Sequence, residues 1–536
     1  MPSTLHLGRL QVLPAAMRLH CLRAPGAGLD SLPFRRSLAE LLGEGGALGE
    51  RSSVLVYCNF KDDADQLAEY LRAATRRQVA SYHAGKTPQE RARIQQLFAQ
   101  GSLKAVVATV AYGMGLDNSH VTAVVHAGIP RSVEDLVQQV GRAGRGRPAG
   151  RKQEQPPPLS FVYVDDAEFL RLRSLARADG AEEEQVQRLL RIALGLTESP
   201  ARLGPPQGRT RAAALRSSEA GAGVAARWCL LSADQLAPHL DMKRESIETL
   251  LAFLQSPTEG QPQPLLRQVG AIRTTVELLL YSTDGVALAE RLDEGARGDP
   301  RHPQAAAAEV LRAVLHLCPN PAKGKHSVAL WDLCLKTGRD PLSVVQCLGT
   351  LAKAGARCMQ TGVEAAVLEI LQQPAEPRAL GRQLAAKLAA VEAANVARVD
   401  AVYRLLAGAA GLHEQGQQEA AVRAGVTSYF SGVVQEPGPP LPLRAESGQL
   451  ESDIAAVLVD HDRSRHSALA GGSVGPALTR RAVARILQGL GSPGFPADRW
   501  SRAVYWRAYQ DVDFDRLMRA ADAKIREYVG AKLAAH

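Results

Sequence analysis

Apolar and polar positions follow two different rhythms along the 536 residues, and the change from one to the other divides the chain. From Arg51 to Val164, short apolar runs alternate with amphipathic stretches. Ser53–Cys58, Val79–His83, Lys104–Thr109, Val121–Ala127 and Leu159–Val164 have the length and β-rich content of buried strands. Asp62–Ala73, Pro88–Phe98 and Ser132–Val140 carry the helical rhythm between them. Strands alternating with helices at these lengths predict a parallel sheet with crossover helices, an α/β layer fold.

Beyond this region the rhythm turns helical. Pro148–Pro158 is a Gly/Pro/Gln-rich loop, and Leu196–Gly223 is a longer linker of low hydrophobicity. Ser232–Leu240 and Arg244–Leu254 form a helical pair broken at Asp241–Met242, followed by a β-rich run at Gln268–Tyr281. A similar unit recurs as Trp331–Lys336, Pro341–Ala354 and a strand near Ala365–Ile370. Two helices and a β-ribbon outline a winged helix, whose second helix can enter a DNA major groove; an ordinary helical core unit has the same outline. Arg378–Leu406 reads as one or two long Ala-rich helices, Gly432–Gly448 as a linker and Glu451–Ala535 as a terminal helical module.

Composition narrows the class. The length suits roughly three or four domains, each with its own core. Apolar residues make up 46% and aromatics only 4%, which favours a globular, helix-rich protein over a sandwich or barrel. No apolar run approaches the length of a membrane span and the N-terminus shows no signal-peptide pattern, so a soluble, intracellular protein is expected. Net charge is +9, and Arg51–Ser160 alone holds 15 Lys/Arg against 9 Asp/Glu. A concentrated basic surface fits a polyanionic partner and equally a solvated basic face. The seven cysteines are scattered, with no C-x-x-C pair, which reads as reduced thiols.

Three segments carry chemistry. Val54–Cys58 is a strand ending in polar Asn59. Ala105–Thr109 runs into a Gly-rich loop, Ala111 to Asp117, through Gly113 and Gly115. The third segment is Gln138-Gln139-Val140-Gly141-Arg142-Ala143-Gly144-Arg145. Ser132 and Asp135 have capping-box spacing, so a helix opens there and delivers Gln138 and the arginines at its far end. Arg142 and Arg145, three apart, share one face, and the glycines let the backbone approach a neighbour. Two such guanidinium forks suit the charge spreading over a transferring γ-phosphoryl group.

These segments resemble motifs IV, V and VI of superfamily-two helicases, and the wording "ATVAYGMGLD" with "QQVGRAGR" resembles the RecQ version. Tyr82-His83-Ala84-Gly85 with Glu90-Arg91 is similar to the RecQ "YHAG…ER" segment. Leu240–Lys243 through Ile247–Leu251, and Arg481–Ile486 through Gly489–Pro493, resemble the C-terminal region of the RecQ-like-four subtype. The resemblance touches most of the chain, strongly before Pro148 and patchily after it. It implies a RecA-like α/β parallel-sheet lobe followed by mainly α winged-helix-like and helical domains. It implies an ATP-dependent 3′-to-5′ DNA helicase of replication, recombination and repair, acting in the nucleus on single-stranded or forked DNA with replication and repair proteins as partners.

Residue by residue, the resemblance makes Arg142 and Arg145 an arginine-finger pair with Gln138 beside them. It sets Asp117 at the nucleotide or the coupling between lobes, with Gly113 and Gly115 shaping its loop. Thr109, His83, Gly85, Asn59 and Arg91 would lie along the single-stranded DNA track; His83 has a second reading as a satisfied buried histidine, and Cys58 reads as a buried strand cysteine. The implied organisation is an inter-lobe linker and first helix over 1–50, the lobe over 51–165, a linker over 166–225, two winged-helix-like units over 226–375, Ala-rich helices over 376–431, a linker over 432–448 and a helical module over 449–536.

Departures from the family pattern matter. No G-x-x-x-x-G-K-[ST] occurs, so the phosphate-cradling loop and the acidic Mg²⁺ motif of a first RecA lobe are missing, and ATP and Mg²⁺ would be held mainly by that lobe. Val162–Asp166 and Asp293-Glu294 look like acidic motifs but read as structural, and the dinucleotide-like spacing at Gly489–Gly494 reads as chance. Gly146 stands where the family usually has Asp. Where the family's zinc cysteines belong only Cys229 is found, so no metal ligands are assigned and zinc is doubtful. The rival function is a non-catalytic DNA-binding or interaction module; an RNA-helicase lobe is a lesser one.

Overall fold

Val54–Tyr57 (β2), Ala105–Ala108 (β4) and Ala123–His126 (β5) are buried along their whole length, which only a sheet covered on both faces allows. The computed structural model describes residues 12–51, 53–112, 121–144, 156–196, 219–257, 262–280, 284–318, 324–432, 438–444, 448–470 and 476–534. They form two units. One comprises Met1–Arg177, Glu392–Glu446 and Gln510–Asp513; the other comprises Ala178–Val391, Ser447–Tyr509 and Phe514–His536.

In the first unit, β2, β4 and β5 join Arg18–Arg23 (β1), Val79–Tyr82 (β3) and Leu159–Val164 (β6) in a parallel sheet of order β1-β6-β5-β2-β4-β3. Strand residues alternate between faces. Val54, Val56, Val107 and Val125 pack under helices Leu32–Leu42 (α1) and Lys61–Thr75 (α2) through Phe34, Leu38 and Leu67. Leu55, Val106 and Val124 face Pro88–Ala99 (α3) and Val133–Val140 (α4) through Phe98 and Leu136. Asp166–Ala176 (α5) follows β6 and adds Phe169 to that side.

Two parts of this unit differ from the sequence expectation. β1 falls in the stretch read as inter-lobe linker, so the sheet begins before residue 51. Residues 392–430, read as separate Ala-rich helices, supply Val402, Leu406, Val422 and Val426 to the same core. They cover the sheet's edge: Gln418 Oε1 accepts the Cys21 N–H at 3.2 Å, and Arg423 donates to the carbonyls of Pro14 and Met17 at 3.0 and 2.7 Å. A covered edge strand no longer offers unpaired backbone to other chains.

The second unit begins earlier than the sequence suggests. The stretch read as a linker contains helix Glu183–Ala193 (α6), whose apolar stripe of Val186, Leu189, Leu190 and Ala193 is buried, and Glu219–Arg227 is helical as well. Trp228–Leu231 (β7), the helices Ala233–Leu240 and Arg244–Leu254, and Leu266–Leu280 (β8) form one β-α-α-β run. Gly324–Ala329 (β9), the helices Leu330–Thr337 and Pro341–Lys353, and Arg357–Ile370 (β10) form a second. A constant spacing relates them: Asp241 to Gly338, both left-handed at the helix junction, then Ile247 to Val344, Leu251 to Leu348 and Leu254 to Leu351, all buried. The two units expected over 226–375 are not separate, because their strands build one antiparallel sheet of order β7-β10-β8-β9. Each run's short strand pairs with the other run's long one.

The terminal part of this unit is fixed by a buried ion pair. Arg485, on helix Arg480–Leu487, reaches Asp241 at 3.5 Å, and both side chains are 2% exposed. The same guanidinium donates to the carbonyls of Ala178 and Gly180, while Asp241 Oδ1 accepts the Gly494 N–H.

Candidate functional site

In a parallel sheet all strands send their carboxyl ends to one edge, where ligands of α/β proteins bind. On that edge β2 leads into Asn59, β4 into Thr109 and β3 into His83 and Gly85. Because β2, β4 and β3 are neighbours, the structure brings these four residues together. On the other side of β2, β5 leads into α4, which carries Gln138, and into the turn with Arg142.

His83 is 6% exposed and both ring nitrogens are engaged. Nε2 lies 3.0 Å from Asp65 Oδ2 and Nδ1 accepts the Gly85 N–H at 3.2 Å, which sets the proton on Nε2. Burial opposes the charge on Asp65, but bonds from Ser81, Lys86 and His83 outweigh it and hold the carboxyl at about 2. The second reading of His83, as an organising buried histidine, therefore has direct support, with the exposed Gly85 loop built around it. Thr109 is buried, and its N–H donates to the Tyr82 carbonyl at 3.2 Å.

Asn59 donates its amide hydrogens inward, to the Ile129 carbonyl and to Glu168 Oε1, both at 2.9 Å. Any contact it makes outward falls to its backbone N–H or Oδ1. Burial pushes the Glu168 carboxyl up to about 7, with Asn59 and Arg171 offsetting part of the rise. Arg91 lies in the first turns of α3, behind the capping box of Thr87 and Glu90. It is half-buried, and its Nε has no hydrogen-bond partner among the described residues.

α4 opens at Ser132, whose hydroxyl accepts the Asp135 N–H at 3.1 Å. Its buried stripe is Val133, Leu136, Gln139 and Val140. Gln139 Oε1 accepts from His126 Nε2 at 2.9 Å, at the end of β5, and burial drives that imidazole down to about 4, so it is neutral. Gln138 is exposed on the other face, and Arg142 is half-buried in the turn that follows. Gly144 has φ +81°, its N–H donates to the Val121 carbonyl, and a Cβ there would come 3.0 Å from Pro158 Cγ. Only glycine suits that turn. Gly113, Gly115, Asp117 and Arg145 lie outside the described residues.

Sequence reasoning missed the His126–Gln139 pair and Glu168. Gln139 falls on the apolar stripe of α4, a visible signal; Glu168 gave none. The acidic pair after β6 is structural: Asp165 caps α5 at the N–H groups of Ala167 and Glu168, and Asp166 binds Arg23 and the Tyr403 hydroxyl. Cys229 is buried, its thiol directed at the Ile192 carbonyl. Among the described residues no group of three His, Cys, Asp or Glu could hold a metal, and no helix is long and apolar enough to cross a membrane.

Residues 35–147 match the family described as Helicase conserved C-terminal domain. An ATP-dependent DNA helicase Q-like 5 of Arabidopsis thaliana is 28% identical over 493 residues, covering 90% of this chain and 46% of that protein. The ATP-dependent DNA helicase Q4 of Homo sapiens is 28% identical over 555 residues, covering 88% of this chain and 42% of its own length. The ATP-dependent DNA helicase RecQ of Haemophilus influenzae is 43% identical over 123 residues, 23% of this chain and 18% of that one. Residues 35–147 carry a helicase C-terminal domain, and these relatives are named as RecQ or Q-type DNA helicases. That domain holds the strand-end residues described above, and the chain spans less than half the length of the first two relatives.

Proposed function

We propose that this chain is the second motor lobe and C-terminal region of an ATP-dependent 3′-to-5′ DNA helicase of the RecQ-like-four subtype, acting in the nucleus in replication, recombination and repair. The observation that carries the reading is the gathering of Asn59, His83, Gly85 and Thr109 at neighbouring strand ends, with Gln138 and Arg142 on the far side of β2. On this reading Asn59, Gly85, Thr109 and Arg91 serve single-stranded or forked DNA, and His83 serves it through the Gly85 loop that it holds. Gly113, Gly115 and Asp117 serve the nucleotide or its coupling.

A phosphate-bearing ligand fits the donors present, since α4 ends in an arginine turn locked by Gly144. When bound, ATP with Mg²⁺, held mainly by a first RecA-like lobe, supplies the phosphoryl transfer that powers movement. This chain's part is to hold Arg142 and Arg145 where charge develops, with Gln138 beside them and the His126–Gln139 bond fixing α4 against β5.

The test joins this chain to a RecQ first lobe. The chain alone should show no ATPase activity, and the joined protein should show DNA-stimulated hydrolysis. Arg142→Ala/Arg145→Ala should then lower turnover by about 10³ or more, the range for arginine fingers. ATPase in the chain alone, or full activity in the double variant, overturns the assignment. The 536 residues contain no G-x-x-x-x-G-K-[ST], which favours one second reading, a non-catalytic DNA-binding module. In that case the joined protein stays inert while the chain still binds DNA.

A further inference from the structure

The second unit contains helices that follow the winged-helix outline, yet their exposed faces are poor partners for phosphate. On Arg244–Leu254 the exposed residues include Glu245 and Glu248, and Arg244 is engaged with Asp234 at 3.1 Å and Glu248 at 2.7 Å. Pro341–Lys353 exposes Gln346 and offers a single cation, Lys353, in its last turn. Neither face attracts a polyanion.

A different surface of the same unit does. α6 crosses the start of helix Pro377–Ala410 at Gly381, where a Cβ would collide with the Gln187 amide. Gln187 Nε2 donates to the Arg378 carbonyl at 2.8 Å and pins the crossing. The result is a slot of about 660 Å³ with Arg191, Arg378 and Arg382 around it, outnumbering the one carboxylate in its lining, Glu376, and with Leu190, Leu196 and Pro377 among its walls. All three arginines are exposed, and among the described residues none forms an ion pair with a carboxylate. Leu196 is 50% exposed beside them.

We propose that this slot binds a single strand of nucleic acid, its phosphates on the three guanidinium groups and its bases or sugars against the apolar wall. The choice of DNA as the polyanion rests on the helicase reading above. Guanidinium forks match phosphate oxygens two at a time, and an exposed leucine beside them suits the flat apolar face of a base. An acidic peptide would use the same arginines but leave that wall without a partner.

The test uses the full chain and a labelled thymidine oligonucleotide, with affinity read by anisotropy from low to moderate salt. Each phosphate neutralised on a single strand contributes about 0.7 to the slope of log affinity against log salt. Arg191→Ala/Arg378→Ala/Arg382→Ala should flatten that slope by about 2 and weaken low-salt binding by about tenfold or more. Lysine at all three positions should keep the slope and only part of the affinity, and it preserves the fold if the alanine variant does not. An unchanged slope in the alanine variant, or a lysine variant equal to wild type in affinity, overturns the slot alone. A wild-type chain that binds no DNA overturns the helicase reading together with it. If the alanine variant keeps its DNA slope but no longer binds polyglutamate, the slot takes acidic protein and the proposal fails.

Discussion

Replacing Arg485 with methionine should destabilise the second unit by about 3–5 kcal/mol at neutral pH, the usual loss when one partner of a buried ion pair is removed. Arg485 and Asp241 are each 2% exposed and 3.5 Å apart. At an effective dielectric of about 20, that separation corresponds to roughly 5 kcal/mol of attraction. The carbonyls of Ala178 and Gly180 lose their donor as well. Burial already pushes the Asp241 carboxyl above its ordinary range, with Arg485 the main offset. A carboxyl raised in the folded state costs stability above its folded pKa, and the cost is relieved as pH falls and it protonates. The variant's deficit should therefore shrink between neutral and mildly acidic pH. All four tryptophans, Trp228, Trp331, Trp500 and Trp506, lie in the second unit, so fluorescence during urea unfolding reports that unit alone. Arg485→Met/Asp241→Asn should recover much of the loss, because no charge is left stranded. A single-variant loss under about 1 kcal/mol, or strictly additive losses in the double variant, would falsify the account of a coupled buried pair.

Gly144→Ala should cost about 1–2 kcal/mol, from a left-handed backbone and contact with Pro158, read by thermal melting of the first unit; an unchanged melt refutes the strain. Glu168→Gln should remove a buried charge while its carbonyl still accepts from Asn59. Because the Glu168 carboxyl is raised to about 7, wild type should lose stability relative to this variant as pH rises from about 5 to 8. A gap that widens toward acid reverses the sign and sinks the argument. Metal analysis of untagged protein should find zinc absent or substoichiometric, since Cys229 faces a carbonyl inside the core; one tightly held zinc per chain contradicts this.

The central strands were legible because β2, β4 and β5 are apolar on both faces, and their runs bound them to within a residue or two. The α4 start was legible too, from the Ser132–Asp135 spacing. β1 was not. Arg18–Arg23 is an edge strand with charged ends; besides β6, it is held by Gln418, 397 residues beyond Cys21, while Arg423, 409 residues beyond Pro14, braces its entry. Local rhythm cannot report such contacts. α6 differs: its stripe of Val186, Leu189 and Leu190 is visible in the sequence, but it lies where the family resemblance sets a zinc region and not a helix. At the site, the positions of Asn59, His83 and Thr109 followed from strand ends. What they bond to did not, because Asp65 and Glu168 approach from neighbouring helices.

The crossed pairing of the two β-α-α-β runs bears on how this region comes together and how it can be taken apart. β8 meets β10 only after the chain has closed a loop of roughly a hundred residues, so assembly is entropically late and slow relative to the helices. A chain ending after β8 would display that long strand with no partner on either side, an open edge prone to self-association. A single cut between Leu317 and Gly324 has the opposite consequence. Both pieces carry one short and one long strand, each of which needs its counterpart in the other, so the halves should remain associated and, once separated, should complement one another.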